Sequence, residues 1–423
     1  MTKYNFLCID IGTTSLKAAL VSETGQVLSF LKINFNSKNV RTLSFEWMNA
    51  VKTALLKLNN ESKEKVKIDA ISISGNGPTI VTEDGQTFLW NEKIKIKKSI
   101  QKKIAPSLFL PRIFYFKNKF PESFKNKKIF SGPEYLIWKL TNNHITILPE
   151  DRYKAAYWSD EKIKSINLEP SQFGAYINTG AIAGTLDKVI AKELSLPEVP
   201  VVAGGPDFTV AIIGTNTLEV GKMCDCAGSS EGINLCTNIP VYKKGLRTLP
   251  SVIPGLWNVA SLLQSSGRKF VECKIRRERK VGQKLTYEQY IAHCAKNPNS
   301  SGYKKMYNLG FKIKKGLDTL LKCAKENNLP VSDTMMVTGG QAKNEWWMQL
   351  KSNITNYKYC VTEVYDSELI GNAVLCAYAL GLYDSIQQAA NKIVKQKKVY
   401  TPNSNFSKNS KGKKWKYLKF QQT

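Results

Sequence analysis

Apolar and polar residues alternate in blocks near the start of the chain. The stretch Phe6 to Val21 is largely apolar, except for a bend of small polar residues, Gly12, Thr13 and Thr14, that follows Ile11. An apolar run that stops at small polar residues and then resumes is typical of two buried strands joined by a tight turn. The pattern therefore predicts a β-hairpin at the beginning of a first domain.

The bend of this hairpin has the composition of a phosphate-binding loop. Gly12 allows a ligand to approach the backbone, and Thr13 and Thr14 offer hydroxyl and amide donors to phosphate oxygens. Asp10 lies at the end of the buried strand, where a carboxylate is costly unless it meets a cation, so it is a candidate ligand of Mg²⁺. The alternative is a tight hairpin in which Asp10 is simply solvated.

A second hairpin predicts that the domain is duplicated. Residues Met223 to Thr237 again run from a strand through Gly228, Ser229 and Ser230 into another strand. One such hairpin in each half implies two domains, 1–218 and 219–423, with a cleft between them to which each half supplies one phosphate loop. Neither loop is a Walker A motif, because neither GxxxxGKS nor GxxxxGKT occurs in the chain.

Two further strand ends carry candidate substrate contacts. The strand Ile71 to Ser74 leads into a loop that contains Asn76 to Pro78, and Trp90, Asn91 and Glu92 end the next strand. Ligands of α/β sheets bind at such strand ends, so Trp90 would supply an apolar wall and Asn91 and Glu92 two polar groups for a polyol. A core position for Trp90, followed by a polar turn, is the alternative.

Asp207 is the candidate catalytic base. It follows a buried strand, Val199 to Ala203, and the loop Gly204 to Pro206, and it precedes a helical stretch, Phe208 to Ile213. The helix dipole would keep its carboxylate ionised and able to accept a proton. An Asp that merely caps a helix would have the same local sequence. Only the presence of a second strand-end carboxylate, Asp10, favours the functional interpretation.

The rest of the pattern predicts further helices and one more glycine loop. A strand over 335–338 ends in a loop that begins with Gly339 and Gly340, and the lysine-rich stretch 93–130 indicates little beyond a surface segment. Apolar spacing and capping signals predict helices over 45–58, 131–140 (with Ser131 and Glu134 as a capping box), 307–323, up to 350, and 367–380.

Size and cysteine usage restrict the class of protein. At 423 residues the chain has room for two or three domains. No run reaches the roughly 18 apolar residues of a membrane span, and Asp10 comes too early for a signal peptide, so we expect a cytoplasmic protein that binds no membrane. Nine scattered cysteines suit reduced thiols. Standard zinc-site spacing does not match the set that could be drawn as one, Cys224, Cys226, Cys236, His293 and Cys294.

The net charge of +28 raises the question of nucleic acid. Of the 62 basic residues, 54 are lysines, and they recur along the whole chain, including the basic tail 392–423. Lysine is less specific than arginine at bases and phosphates. We therefore expect a solvated lysine surface that attracts anionic nucleotides, and no specific nucleic-acid partner.

Five motifs occur in one order along the chain: DIGTTSLKAAL at the start, GGPD at 204–207, GSS at 228–230, TGGQAKNEWW at 338–347 and ELIGNAVLCAYALGLY at 368–383. Together they resemble the FGGY family of carbohydrate kinases, nearest its xylulose kinase branch, over almost the whole chain. The resemblance implies an α/β fold of two ribonuclease-H-like (actin/hexokinase-type) domains with an interdomain cleft that closes on ATP, Mg²⁺ and a sugar.

The resemblance also implies roles for the candidate residues. Asp10 would serve the metal beside the Gly12 loop, and Asp207 would be the general base on a sugar hydroxyl. The residues expected to contact ATP or its phosphates are Gly12, Thr13, Thr14, Gly228, Ser229, Ser230, Gly267, Gly339, Gly340 and Asn344.

The chain departs from the family at three places. Asn76, Gly77 and Pro78 stand where the xylulose branch has glutamine, methionine and histidine, so the identity of the sugar does not carry over. Glu231 replaces a small residue after the second loop, and metal binding and phosphate repulsion both stay open as its role. After Tyr303 the GERxP stretch and a glycine-rich segment are missing, which is expected to thin the sheet or cleft wall of the second domain.

The sequence therefore predicts an ATP-dependent kinase of a ketose, such as a pentulose, or of a polyol. The alternative is a catalytically reduced relative that binds nucleotide or sugar as a sensor or partner protein. The expected partners are a small-molecule sugar and, as a candidate assembly, a second copy of the chain in a homodimer.

Overall fold

A computed structural model describes residues 4–37, 39–61, 66–228, 230–264 and 266–403. The chain folds into two units: unit 1 is Met1–Leu218, Leu249–Leu256 and Asp366–Lys395, and unit 2 is Glu219–Thr248, Trp257–Tyr365 and Gln396–Thr423. A unit boundary thus falls after residue 218, where the sequence predicts a domain boundary. Two segments of the predicted second domain, however, fold with unit 1.

The strands follow the hairpins and apolar runs of the sequence. In chain order they are β1 Asn5–Ile11, β2 Ser15–Ser22, β3 Val27–Asn34, β4 Ala70–Gly75, β5 Ile80–Thr82, β6 Thr87–Phe88, β7 Ile129–Ser131, β8 Ile145–Leu148, β9 Ala175–Asn178, β10 Ile182–Thr185, β11 Pro200–Pro206, β12 Met223–Ala227, β13 Glu231–Thr237, β14 Leu246–Pro250, β15 Trp257–Leu263, β16 Thr334–Thr338, β17 Lys358–Thr362 and β18 Gln396–Tyr400.

The predicted helices are present, and several are longer than the pattern indicated. In chain order the helices are α1 Leu43–Glu61, α2 Lys98–Ile104, α3 Leu110–Lys119, α4 Pro121–Phe124, α5 Gly132–Thr141, α6 Asp160–Lys164, α7 Lys188–Leu194, α8 Asp207–Gly214, α9 Ser266–Val281, α10 Tyr287–Lys296, α11 Ser301–Glu326, α12 Glu345–Thr355, α13 Ser367–Ala379 and α14 Ile386–Ile393. Ser131 and Glu134 form the predicted capping box of α5.

Unit 1 contains a six-stranded sheet in the order β10-β11-β4-β1-β2-β3. Its strands β1, β4 and β11 are parallel neighbours, and Ile11 pairs with Gly75, which in turn pairs with Pro206. The carboxyl ends of these three strands therefore lie side by side at one edge of the sheet. Helix α13 packs against all three strands, and α8 packs against α13.

Unit 2 repeats this arrangement within a seven-stranded sheet, in the order β14-β15-β13-β12-β16-β17-β18. Its central strands β15-β13-β12-β16-β17 correspond to β3-β2-β1-β4-β11 of unit 1, each with an antiparallel hairpin beside parallel strands. The two sheets therefore show the duplication that the two hairpins predict. This sheet has seven strands, and the expected thinning of the second sheet or of its cleft wall, relative to the family, stays a prediction.

The lysine-rich stretch 93–130 is more than a surface segment. It forms α2, α3 and α4, whose apolar sides contribute to a buried cluster that includes Phe88 and Trp158. The sequence pattern missed these helices because lysines interrupt short apolar spacings. The buried residues they supply are Ile104, Leu110, Ile113, Phe116 and Phe124.

Within the described residues, no helix combines the length and apolar character needed to cross a bilayer.

Candidate active site

The strand ends of unit 1 bring three predicted site residues together. Asp10 is the penultimate residue of β1, Asn76 directly follows β4, and Asp207 directly follows β11. The backbone N–H of Asn76 donates to the carbonyl of Ile11 (3.0 Å), which ties the second loop to the first. The two candidate carboxylates therefore belong to one unit and one sheet edge.

The predicted phosphate and sugar loops also contact each other. The side-chain hydroxyl of Thr13 lies 3.1 Å from Asn76 Nδ2 and 3.1 Å from Trp90 Nε1, both of which donate to it. A Cβ on Gly77 would meet Cβ of Pro206, the residue before Asp207, at 3.9 Å. The loops that carry these residues thus form one surface at the sheet edge.

Trp90 and Asn91 lie on the solvent side of this surface. Trp90 is 37% exposed, so the core interpretation of this side chain is wrong. Asn91 is exposed beside it, and Thr14 is exposed in the first loop. An indole that is anchored by its N–H and open on one face can supply the apolar wall that the sequence predicts.

Asp10 is buried among charges of both signs. Burial raises the pKa of Asp10 to about 6, with Asp207 and Asp366 adding to the rise, while Lys17 and the hydroxyl of Ser74 oppose it. Lys17 Nζ lies 3.7 Å from Asp10 Oδ2 and 2.9 Å from Asp366 Oδ1. Asp10 is therefore mostly ionised at neutral pH and carries a lysine counter-charge.

Lys17 is a site residue that the apolar pattern does not predict, although the hairpin contains a signal for it. Lys17 is directly opposite Asp10 in the β1–β2 pairing, a register that follows from the position of the bend. Burial alone would lower the pKa of Lys17, but Glu368, Asp10 and Asp366 outweigh it and raise that pKa. Lys17 thus remains a cation at the base of the phosphate loop.

Asp207 begins helix α8, as the sequence predicts. It is half-buried, and its Oδ1 accepts from the backbone N–H of Phe208 (2.7 Å). Pro206, which cannot donate, is the N-cap residue. A carboxylate at this position is favoured by the N–H groups of the first turn.

The carboxylates of unit 1 fit a Mg²⁺ ion that is shared with a nucleotide. Such an ion binds one or two carboxylates and completes its shell with phosphate oxygens and water. Asp10 offers oxygen donors, and Asp366, which shares the Lys17 ammonium with it, places a second carboxylate close by. In the described part of the chain no three His, Cys, Asp or Glu side chains are grouped to hold a metal by themselves, and this includes the cysteine set of the zinc hypothesis.

The second phosphate loop, in unit 2, is held by the glycine loop that follows β16. Gln341 Nε2 donates to the carbonyl of Gly228 (3.3 Å), and Gln341 Oε1 accepts from Trp347 Nε1 (3.0 Å). A Cβ on Gly339, whose φ is +91°, would meet the carbonyl oxygen of Ala227 at 2.6 Å. Gln341, which the sequence analysis passed over, therefore connects the two predicted nucleotide loops.

The remaining nucleotide candidates differ in their surroundings. A Cβ on Gly340 would meet nothing within 4 Å, so the backbone there is open to a ligand. Asn344 caps α12 through its Oδ1, which accepts from Trp347 N (2.9 Å). Gly267 lies in the first turn of α9. Ser229 lies outside the described residues, and Ser230 is exposed beside it.

Glu231 does not face a ligand. It is buried, and its Oε1 accepts from Lys351 Nζ, which also donates to Asp225 Oδ2 at 2.6 Å. Burial and the Asp225 charge raise the pKa of Glu231 to about 8. Neither metal binding nor phosphate repulsion describes this residue; it belongs to a buried charge cluster of Asp225, Glu231 and Lys351.

Comparisons with known proteins agree with this architecture. Residues 306–380 match the model of the FGGY family of carbohydrate kinases, C-terminal domain. A gluconokinase of Bacillus subtilis is 24% identical over 472 aligned positions, covering 93% of this chain and 91% of that protein. A xylulose kinase of Staphylococcus epidermidis is 22% identical, covering 96% and 94%. The crystal structure of ligand-bound xylulose kinase from Lactobacillus acidophilus superimposes with a TM-score of 0.78 at 17% identity over 96% of both chains, which shows the fold.

Proposed function

We propose that the chain is a carbohydrate kinase of the FGGY family, which it resembles over most of its length, and that it catalyses the ATP-dependent phosphorylation of a sugar with Asp207 as the general base. One observation carries the proposal: Asp10, Asn76 and Asp207 lie at the carboxyl ends of three adjacent parallel strands, β1, β4 and β11. Phosphoryl transfer asks for positioning and charge stabilisation more than for covalent chemistry, and this edge offers both.

Each residue has a distinct part in the proposed reaction. Asp207 accepts the proton of the sugar hydroxyl as that oxygen attacks the γ-phosphate, and the loop Gly12 to Thr14 donates to the transferred phosphoryl group. Asp10 would hold Mg²⁺, which when bound supplies charge neutralisation at the phosphates. The glycine loops of unit 2, with Gly228 and Gly340, support the nucleotide through backbone N–H groups.

The substrate is proposed to be a ketose, such as a pentulose, or a polyol. The names of the relatives point to gluconate and xylulose. The predicted sugar-facing side chains, from the loop Asn76 to Pro78 and from Trp90 to Glu92, are uncharged apart from Asp207 and Glu92, and the Glu92 carboxylate is already paired with Arg41. Such a surface suits neutral hydroxyl groups better than the carboxylate of gluconate, which favours a neutral sugar.

A coupled ADP-release assay over pentuloses, hexuloses, polyols and gluconate tests the proposal. We expect turnover with a neutral sugar, and a loss of kcat of about 10²-fold or more in Asp207→Asn with nucleotide binding unchanged. Asp187→Asn is the matched control, because Asp187 caps α7 by accepting from Val189 N (2.9 Å), and its other partners, Ile190 N and Asn142 Nδ2, are not predicted site residues either. Equal kcat for Asp207→Asn and Asp187→Asn would refute the role of Asp207.

The second candidate is a catalytically reduced relative that binds nucleotide or sugar as a sensor. One observation favours it: Asn76 and Trp90 already donate to Thr13, so the indole N–H and one N–H of the Asn76 amide are used within the protein. Calorimetry that shows nucleotide binding without turnover on any sugar would support this candidate. The expected homodimer and cytoplasmic location stay predictions.

A further inference from the structure

Asn372 lies directly beneath the strand ends that carry the candidate carboxylates. It is on α13 and fully buried, with apolar neighbours along the helix on both sides, Ile370 and Val374. A buried amide is costly unless its hydrogen-bonding groups are satisfied. The partners of Asn372 therefore indicate why a polar side chain occupies this core position.

All hydrogen-bonding groups of this amide have partners on the sheet. Asn372 Nδ2 donates to the carbonyl of Ile9 (2.9 Å) and to Ser74 Oγ (3.0 Å), and Oδ1 accepts from Ser72 Oγ (2.9 Å). Because a backbone carbonyl can only accept, the contact with Ile9 determines which end of the amide is the nitrogen. The orientation of Asn372 is therefore unambiguous.

The direction of these hydrogen bonds determines to which acceptor the Ser74 hydroxyl donates its proton. A hydroxyl has one proton, and Ser74 Oγ already accepts from Asn372, so its own proton must point elsewhere. Asp10 Oδ1 is 3.1 Å away and the carbonyl of Ile9 is 3.4 Å away. The shorter bond, to a carboxylate, is also the stronger one. The result is a chain of donors from Ser72 through Asn372 and Ser74 to Asp10.

The same amide also touches the strand that leads to Asp207. The pairing of β11 with β4 shifts register between Ala203 and Gly205, so Gly204 is the bulged residue. A Cβ on Gly204 would meet Asn372 Oδ1 at 2.7 Å, and only glycine leaves room for the amide there. Asn372 thus lies against β1, β4 and β11 together.

We propose that Asn372 is a positioning residue for phosphoryl transfer, which orients the Asp10 carboxylate through Ser74 and holds the ends of β1, β4 and β11 in register. The inference rests on the proposed function in one respect, namely that Asp10 serves a nucleotide-bound cation. The arrangement itself depends only on the contacts within unit 1.

Asn372→Leu tests the inference, because leucine has nearly the shape of asparagine without its donors and acceptor. We expect the affinity for Mn²⁺–ADP, measured by electron paramagnetic resonance, to fall roughly tenfold, as for a lost hydrogen bond to a charged group. The kcat should fall at least as much, with the KM for sugar within about twofold of wild type. Ser74→Ala should show the same defect, and the double variant should be no worse than either single one, since both break one chain.

Cys376→Ala is the packing control. Cys376 is buried on the same helix and has no part in the chain from Ser72 to Asp10, so it should lower thermal stability while Mn²⁺–ADP affinity and kcat stay within about twofold. A purely structural role for Asn372 predicts the same result for Asn372→Leu. That outcome, or additive defects in the double variant, would overturn the inference.

The failure of the proposed function can be told apart from the failure of this inference. If the wild type binds Mn²⁺–ADP but phosphorylates no sugar, the kinase proposal fails. The ratio of the Mn²⁺–ADP affinities of wild type and Asn372→Leu then still decides the role of Asn372. If the wild type does not bind Mn²⁺–ADP, crystal structures of wild type and Asn372→Leu decide it. An unchanged Asp10 rotamer with an intact Ser74 hydrogen bond would then refute the inference.

Discussion

Lys351→Met should destabilise unit 2 more than any substitution at an exposed ion pair. Lys351 is fully buried on α12, and it donates to Asp225 on β12 and to Glu231 on β13. The substitution keeps much of the side-chain volume but removes the only cation of the cluster. Two carboxyl groups then remain buried beside each other without a counter-charge.

The expected loss follows from the burial of the cluster. Breaking a buried ion pair by removing one partner costs about 3–5 kcal/mol, because the charge left behind stays desolvated. For a folding unit of this size, 1 kcal/mol corresponds to about 2–4 °C in Tm, so we expect a drop of roughly 10 °C. Lys351 Nζ also lies over the rings of Trp347 (5.7 Å to the centroid) and Tyr359 (5.6 Å), and the substitution removes these cation–π contacts too.

The loss should increase with pH. Burial raises the pKa of Glu231 from its ordinary value of 4.5 to about 8, so the folded protein takes up a proton that the unfolded chain releases. The contribution of this group to stability is therefore greatest below about pH 4.5 and decreases as the pH rises to about 8. Without Lys351 the carboxyl groups are harder to ionise still, which extends the decrease to higher pH.

Urea denaturation at pH 5.5 and pH 8 measures both effects, and amide hydrogen exchange in β12 and β13 locates them. Lys358→Met is the matched control, because Lys358 pairs with Asp333 at 2.5 Å while their side chains are 44% and 73% exposed. It should cost less than about 1 kcal/mol at either pH. Equal losses for Lys351→Met and Lys358→Met, or a loss that is smaller at pH 8 than at pH 5.5, would refute the reasoning.

Three further changes have expected outcomes. Glu231→Gln cannot ionise, so it lacks the loss of stability that wild type shows as Glu231 ionises. The unfolding free energy of the variant minus that of wild type should therefore increase from pH 5 to pH 8 in urea titrations. Gly339→Ala should lower thermal stability, because its Cβ would meet the Ala227 carbonyl, whereas Gly340→Ala should leave Tm unchanged and raise the KM for ATP if nucleotide approaches there. Ser131→Ala removes the capping-box hydroxyl of α5 and should cost about 1 kcal/mol in chemical denaturation, with kcat unaffected.

Local pattern was sufficient to predict the elements that hold the site. The hairpin at Gly12 and the capping box at Ser131 involve residues within a few positions of each other, so the sequence displays them directly. The strand-end positions of Asp10 and Asp207 followed from apolar runs that stop at polar residues. Their proximity followed only from the parallel order of β1, β4 and β11, which no local pattern contains.

The hydrogen-bond and ion-pair partners of the buried polar residues could not be predicted from the sequence, for a different reason. Asn372 and Ser74 are separated by 298 positions, and Lys351 and Asp225 by 126. Asn372 and Asp225 are polar residues in otherwise apolar stretches, which indicates an unusual environment but not which partner satisfies it. Lys17 is the exception, because its place opposite Asp10 follows from the hairpin register alone.

The duplicated sheets explain why the two units carry different chemistry. Asp10 and Cys226 occupy equivalent positions, each one residue before the last of the first hairpin strand, and they pair with Ser74 and Thr338 on the parallel neighbour. The acid of unit 2, Asp225, is one residue earlier, and side chains alternate along a strand, so it points to the opposite face of its sheet. That face is the core, where Lys351 neutralises it.

A shift of one position thus converts a carboxylate at the ligand edge into half of a buried ion pair. The equivalent of Asp225 in unit 1 is Ile9, a core residue, which is what this position ordinarily requires. Unit 2 therefore presents a thiol where unit 1 presents a carboxylate. The proposed proton transfer and cation binding accordingly belong to the strand ends of unit 1, and the proposed contribution of unit 2 to nucleotide binding is the backbone of its glycine loops.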